Sequence, residues 1–242
     1  MKNTLKTKSF SIGWDVGGWN CDKNGKSRDA IVVLDSALHL VGEPWRGNLR
    51  ESIRVSATTQ DWLAALFGRC EAVAPVPGDS VTMAIDTPLG FPEEFIGLVT
   101  RQVCVEADET SGRNRYLFRQ TERRLFAQGL APLSAVKDMI GSQATKGMHV
   151  VAKFAPQIES CGVWTDGAGF RAIETYPTAC KKAAVVKTLL QGQTSLGHED
   201  KDDARVCAVI AHLFATDPSA LERPDGNVSC REGWIWAPRQ PT

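Results

Sequence analysis

Asp15 closes the alternating segment 10–16, in which Phe10, Ile12, Trp14 and Val16 form one face and Ser11, Gly13 and Asp15 the other. Asp86 closes a second such segment, 81–86, with Val81, Met83 and Ile85 on one face and Thr82, Ala84 and Asp86 on the other. Each acid ends an apolar run and immediately precedes a loop, Gly17-Gly18 in one case and Thr87-Pro88-Leu89-Gly90 in the other. Ligand chemistry in an open α/β sheet collects where strands end in loops, so neighbouring strands would bring these two side chains together. Asp202 and Asp203 add acids at the start of a helical pattern. At about 100° per residue, Val206, Val209, Ile210 and Leu213 lie within about 80° of Asp202, and Asp203 lies beside Cys207 and Phe214. Both begin the buried side, where packing alone does not ask for a carboxylate. Glu174, within Ile173-Glu174-Thr175-Tyr176-Pro177, is a further acid at a strand end.

Converging carboxylates repel one another unless a cation lies between them. Hard oxygen donors suit Mg²⁺ or Mn²⁺. Two such ions about 3.5–4 Å apart can activate a water and stabilise the leaving oxygen of a phosphodiester. Metal ligands are therefore expected among Asp15, Asp86, Asp202, Asp203 and Glu174. Each also has a structural reading: Asp15 and Asp86 as turn residues, Asp202 or Asp203 as a helix N-cap, and Glu174 as a partner of Arg171 or a lysine. Residues 113–124 supply the opposite charge, with five arginines against the single acid Glu122, a local charge of +4. On a helix, Arg115, Arg119 and Arg123 step by four and share a face suited to phosphate. The alternative is a solvated face with Arg119 pairing to Glu122.

The elements that must position these groups follow from periodicity. Strands are expected at 10–16, 30–34 and 38–43, close enough in sequence to form an antiparallel meander. A helix over 59–70, capped by Thr58 or Thr59, precedes the breakers Pro75, Pro77 and Gly78, then the strand 81–86. Residues 92–155 read as helical and charged. A strand at 170–175 follows the Asp166-Gly167 turn, then helices at 178–190 and from about Asp202, and the tryptophan-rich tail 233–238 packs back on the body. A helix between strands favours a right-handed parallel crossover, so the prediction is an α/β mixed sheet flanked by helices. One domain over 1–242 is expected, with a helical insertion at about 92–160.

Composition narrows the class. The chain of 242 residues is 43% hydrophobic and 23% charged, a globular balance. No apolar run approaches the roughly 20 residues a bilayer requires. Lys2, Lys6 and Lys8 precede no apolar core or cleavage site, so a cytoplasmic protein without membrane attachment is expected. The seven cysteines include no Cys-x-x-Cys pair, which disfavours a zinc site and points to small core residues in a reducing compartment. With 28 basic and 28 acidic residues, bulk electrostatics would not grip nucleic acid, although a local basic strip can.

Six motifs occur in order: Gly13-Trp14-Asp15, Ala84-Ile85-Asp86-Thr87-Pro88-Leu89-Gly90, Phe118-Arg119-Gln120-Thr121-Glu122-Arg123, Glu174-Thr175-Tyr176-Pro177, Lys201-Asp202-Asp203-Ala204 and Glu232-Gly233-Trp234-Ile235. Together they resemble the family called domain of unknown function 429, described as predicted nucleases with a ribonuclease-H-like fold, and the resemblance spans nearly the whole chain. It implies that fold and a catalytic role for Asp15, Asp86 and Asp203, with Asp202 or Glu174 as a fourth acid. A metal-dependent nuclease acting on nucleic acid is the leading expectation, with Arg115, Arg119 and Arg123 positioning phosphate. Two alternatives stand beside it. Asp15-Val16-Gly17-Gly18 resembles the phosphate-binding hairpin of actin-like nucleotide-binding proteins and phosphotransferases, although those carry two copies of the fold. A non-catalytic scaffold of the same fold is the other.

Overall fold

The computed structural model describes residues 7–106 and 111–239; Lys2 and Lys6, and positions 107–110 of the expected insertion, lie outside them. The chain runs β1 (Ser9–Asp15), β2 (Asp29–Leu34), β3 (Trp45–Gly47), α1 (Arg50–Val55), α2 (Thr59–Arg69), β4 (Ser80–Asp86), α3 (Glu93–Arg101), α4 (Gln120–Ala127) and α5 (Gly141–Phe154). It continues through β5 (Gln157–Ser160), β6 (Val163–Thr165), β7 (Phe170–Glu174), α6 (Pro177–Cys180), α7 (Ala184–Leu189) and α8 (Glu199–Thr216). The strands form one seven-stranded sheet in the order β3-β2-β1-β4-β7-β6-β5. β1, β4 and β7 are parallel, and the strands on either side of them are antiparallel. The mixed α/β sheet flanked by helices is as expected. Among the described residues no helix is long and apolar enough to cross a membrane.

Several elements differ from the sequence expectation. The third meander strand is β3, not 38–43. Leu38 and Gly42 take positive φ, and the Asp35 carboxylate holds a turn by accepting the Ala37 and His39 N–H groups. Only Leu40 bridges back to Leu34. The insertion is not helical throughout 92–160, since β5 belongs to the sheet and much of the remainder is irregular. Helix α4 starts at Gln120, so Arg115, Arg119 and Arg123 do not share one helical face. The helix over 178–190 is two short ones, and α8 begins at Glu199, which moves Asp202 and Asp203 inside the helix.

The strand periodicity sorts the core into two layers. Phe10, Ile12, Trp14, Met83 and Ile85 meet Trp62, Phe67 and Phe154 of α2 and α5 on one face. The Trp62 and Phe154 rings stack at 5.2 Å. On the other face Ala30, Val32 and Ala84 pack beneath α8, with Trp234 and Trp236 of the tail. Helix α8 lies so close to β1 that a Cβ on Gly13 would fall 1.7 Å from the Ala204 carbonyl oxygen. That contact brings the first turns of α8 to the strand ends carrying Asp15 and Asp86.

A second constraint sets the other side of these strand ends. Arg119, 1% exposed, donates through Nη1 to Glu174 Oε2 at 2.8 Å and to the Glu232 carbonyl at 2.9 Å. Its Nη2 donates to Glu174 Oε1, and its Nε to Glu122 Oε1 at 2.9 Å. Glu174 Oε2 also accepts the Leu89 N–H at 2.8 Å. The Glu232 carboxylate accepts the Glu93 and Gln120 N–H groups at the starts of α3 and α4. Burial opposes the Arg119 charge, but Glu122 and Glu174 outweigh it and its pKa is raised. Four separate segments are thereby joined at one guanidinium, whose planar fork a lysine cannot reproduce. Replacing Arg119 by Met strands two buried carboxylates, and should lower unfolding free energy by about 3–5 kcal/mol in urea titrations. A loss under about 1 kcal/mol would show that the clamp is not holding these segments.

Candidate functional site

Asp15 and Asp86 stand directly across from each other in the parallel β1–β4 register, on strands whose axes are about 4.8 Å apart. Both are half-buried and both line one cleft of about 320 Å³. Thr87 lines it too, and its buried hydroxyl has no hydrogen-bond partner among the described residues. Burial, then Asp86, then Asp200, Asp203 and Asp29 raise the Asp15 pKa well above the ordinary carboxylate range. Asp86 is pushed up to about 8 by burial first, then by Asp203 and Glu174, with Lys181 opposing. Two acids that sequence periodicity placed at strand ends therefore converge, and burial with neighbouring carboxylates favours the protonated form of each.

The remaining expected residues divide differently. Asp203 lies close enough to raise Asp15 and Asp86, but its carboxylate forms an ion pair with Lys181 and it does not line the cleft. Burial raises its own pKa, and Lys181 acts the other way. Asp202 turns away: it accepts from Ser195 Oγ, the Leu196 N–H and Arg205, so its oxygens serve the loop before α8 rather than a metal. Glu174 reaches the cleft, but both its oxygens are held by Arg119 and Leu89, which makes it the anchor of the clamp and not a free ligand. Arg119 is correspondingly unavailable to phosphate. Arg115 lies 3.9 Å from Glu94, and Arg123 lines a separate cleft with Glu93, Glu94 and Arg101. None of the three arginines reaches Asp15 and Asp86 from the cleft.

Other groups escaped sequence reading. Asp29, at the start of β2, is fully buried against Lys146 Nζ of α5 at 2.5 Å. It also accepts from Trp14 Nε1, Gly17 N–H and Leu49 N–H. Burial raises the Asp29 pKa, with Lys146 opposing. Lys146 further donates to the Gly17 carbonyl at 3.2 Å, while Ser142 Oγ accepts the Trp19 N–H at 3.0 Å. Helix α5 thus fixes the loop that follows Asp15. The Gly17 N–H, donated to Asp29, and the Trp19 N–H, donated to Ser142, are already committed inside the protein. One signal could have revealed Lys146: it shares a helical stripe with Val150 and Phe154, a buried face that demands a partner for its charge.

Among the described residues no group of three or more His, Cys, Asp or Glu is arranged to hold a metal ion. What the geometry offers is a two-carboxylate edge open to a cleft. Mg²⁺ is commonly bound in that way, through one or two carboxylates with water and substrate phosphate completing its shell. No protein-family model, curated protein or solved structure matches the chain.

The crowding has a pH signature. An Asp86 pKa near 8 when folded, against about 3.9 when unfolded, means the folded state keeps a proton that the unfolded state releases between those values. Stability of the metal-free protein therefore falls as pH rises through that window. Asp86→Asn removes this titration while Asp203, Glu174 and Lys181 still face the position. Its Tm advantage over wild type should be larger at pH 8.5 than at pH 5.5 in thermal melts with chelator. An offset that does not change with pH would contradict the crowding of Asp86.

Proposed function

We propose that this chain is a metal-dependent phosphodiesterase of the ribonuclease-H-like kind, in line with the family its motifs resemble. The observation that carries the reading is the register of Asp15 and Asp86 at the cleft-facing ends of two adjacent parallel strands. Two half-buried carboxylates with raised pKa values gain most from a divalent cation, which removes their repulsion and their desolvation penalty together. The hard oxygen donor set fits Mg²⁺ or Mn²⁺, and the Thr87 hydroxyl, unpartnered among the described residues, adds a polar atom at the same edge.

When bound, such an ion supplies Lewis-acid polarisation of a phosphoryl oxygen and acidifies water. The protein's own residues do the rest. Asp15 and Asp86 lend the coordinating oxygens. Lys181 keeps Asp203 beside Asp86, close enough to bias its charge without entering the cleft. Asp29 and Lys146 hold the loop after Asp15, and Arg119 with Glu174 holds the Leu89 loop after Asp86. Each carboxylate is thus fixed from its downstream side, which limits the ways the pair can relax apart.

With Mn²⁺ present, the purified protein should hydrolyse bis(p-nitrophenyl) phosphate. Asp15→Asn and Asp86→Asn should each lower kcat/KM by about 100-fold or more, as loss of metal-borne stabilisation requires. Folded variants that keep wild-type turnover, or a wild type indifferent to EDTA, would exclude the reading.

A further inference from the structure

The cleft itself says what can reach the carboxylates. Beside Asp15 and Asp86 it is lined by Pro88, Pro132, Leu133, Ile140, Tyr176 and Ile235, an apolar and aromatic surface. Its volume of about 320 Å³ lies at the small end of small-molecule pockets, which run from about 300 to 1,000 Å³. Among the described residues none of those lining it is a lysine or an arginine. A duplex draws its affinity from rows of such residues that displace counterions from successive phosphates. The arginines expected to do this are buried at Arg119 or placed beside the separate cleft of Glu93 and Glu94.

The apolar wall is also built in advance. Tyr176 donates its hydroxyl to the Ala131 carbonyl at 3.1 Å, and Ser134 Oγ accepts the Val136 and Lys137 N–H groups. Leu133, 52% exposed, stands at the rim. The side chains of Ser27 and Gln143 line the cleft and make no hydrogen bond within the protein among the described residues, which leaves them for a ligand's polar edge. The buried Thr87 hydroxyl, without a partner among the described residues, lies on the same surface next to Asp86.

We propose that this cleft takes a compact phosphodiester of nucleoside size rather than a nucleic-acid duplex. Its phosphate sits at Asp15 and Asp86, and its organic group lies against Pro132, Leu133, Ile140 and Tyr176. This rests on the metal-dependent hydrolysis proposed above and names its substrate class. In that reaction a water oxygen bonds to phosphorus, one of the two ester P–O bonds breaks to leave a monoester, and the proton lost by water ends on the leaving alcohol. The few polar side chains orient the ligand, while the apolar wall supplies affinity that a bare phosphate cannot gain.

The test is calorimetry on the full chain, first with Mn²⁺ alone, then with Mn²⁺ and thymidine 5′-monophosphate (the monoester such a hydrolysis leaves, so that no turnover occurs), inorganic phosphate or a 12-base-pair duplex. The nucleotide should bind about 10-fold or more tightly than phosphate, and the duplex should not displace it. Leu133→Ser, at an exposed rim position, should reduce that preference to about 3-fold or less while Mn²⁺ binding stays at the wild-type value. A nucleotide that binds no more tightly than phosphate, a duplex that displaces it, or an unchanged preference in Leu133→Ser would each overturn the inference and leave the metal reading standing. Failure of Mn²⁺ to bind in the first titration would overturn the metal reading, and this one with it.

Discussion

The buried guanidinium of Arg119 is the interaction on which the site's surroundings depend. Through Glu174 it reaches the end of β7, through Leu89 the loop after Asp86, through Glu122 the start of α4, and through the Glu232 carbonyl the C-terminal segment. Four of the six motifs that suggested a family resemblance each contribute a residue to this cluster. Their occurrence together has a mechanical meaning: they are the parts of a clamp. Close approach of the segments needs Gly90 as well, because a Cβ there would lie 2.5 Å from the Glu232 carbonyl oxygen. A buried charge with this many partners is costly to form but specifies one arrangement, because any slip leaves a carboxylate unpaired.

Across β1 and β4 from that clamp, the Asp29–Lys146 pair does the same for the loop after Asp15, and Gly13 admits α8 to contact distance. The carboxylate pair is therefore held by structure on every side while remaining at odds with itself electrostatically. Asp15 and Asp86 have raised pKa values because burial and neighbouring carboxylates act together, outweighing the opposing charge of Lys181 on Asp86. Such opposition between packing and charge is characteristic of sites shaped for a ligand rather than for stability.

Much of the fold could be read from the chain because β1 and β4 alternate with period two and α2 carries its own cap, Thr58 with Asp61. The pair Asp15 and Asp86 was legible for the same reason: side-chain parity puts both on the α8 face. What escaped was set by distance and by context. Asp29 and Lys146 are 117 positions apart, and no local pattern joins them. Arg119 looked like one of a row on a solvated helix, whereas α4 begins after it and turns it inward. β5 and β6 were missed because they are short and β5 is exposed along its length. The helix start fell three residues earlier than expected, at Glu199 with Asp202 still in the first turn, because the His198 side chain caps it by accepting the Asp200 N–H.

The most direct measurement is a crystal structure of the protein soaked in Mn²⁺, with anomalous differences collected for the metal. The account predicts a peak between the carboxylates of Asp15 and Asp86, bordering the cleft that Thr87 and Tyr176 line, with Glu174 still held by Arg119. Carboxylates turned apart with no anomalous density between them would contradict it.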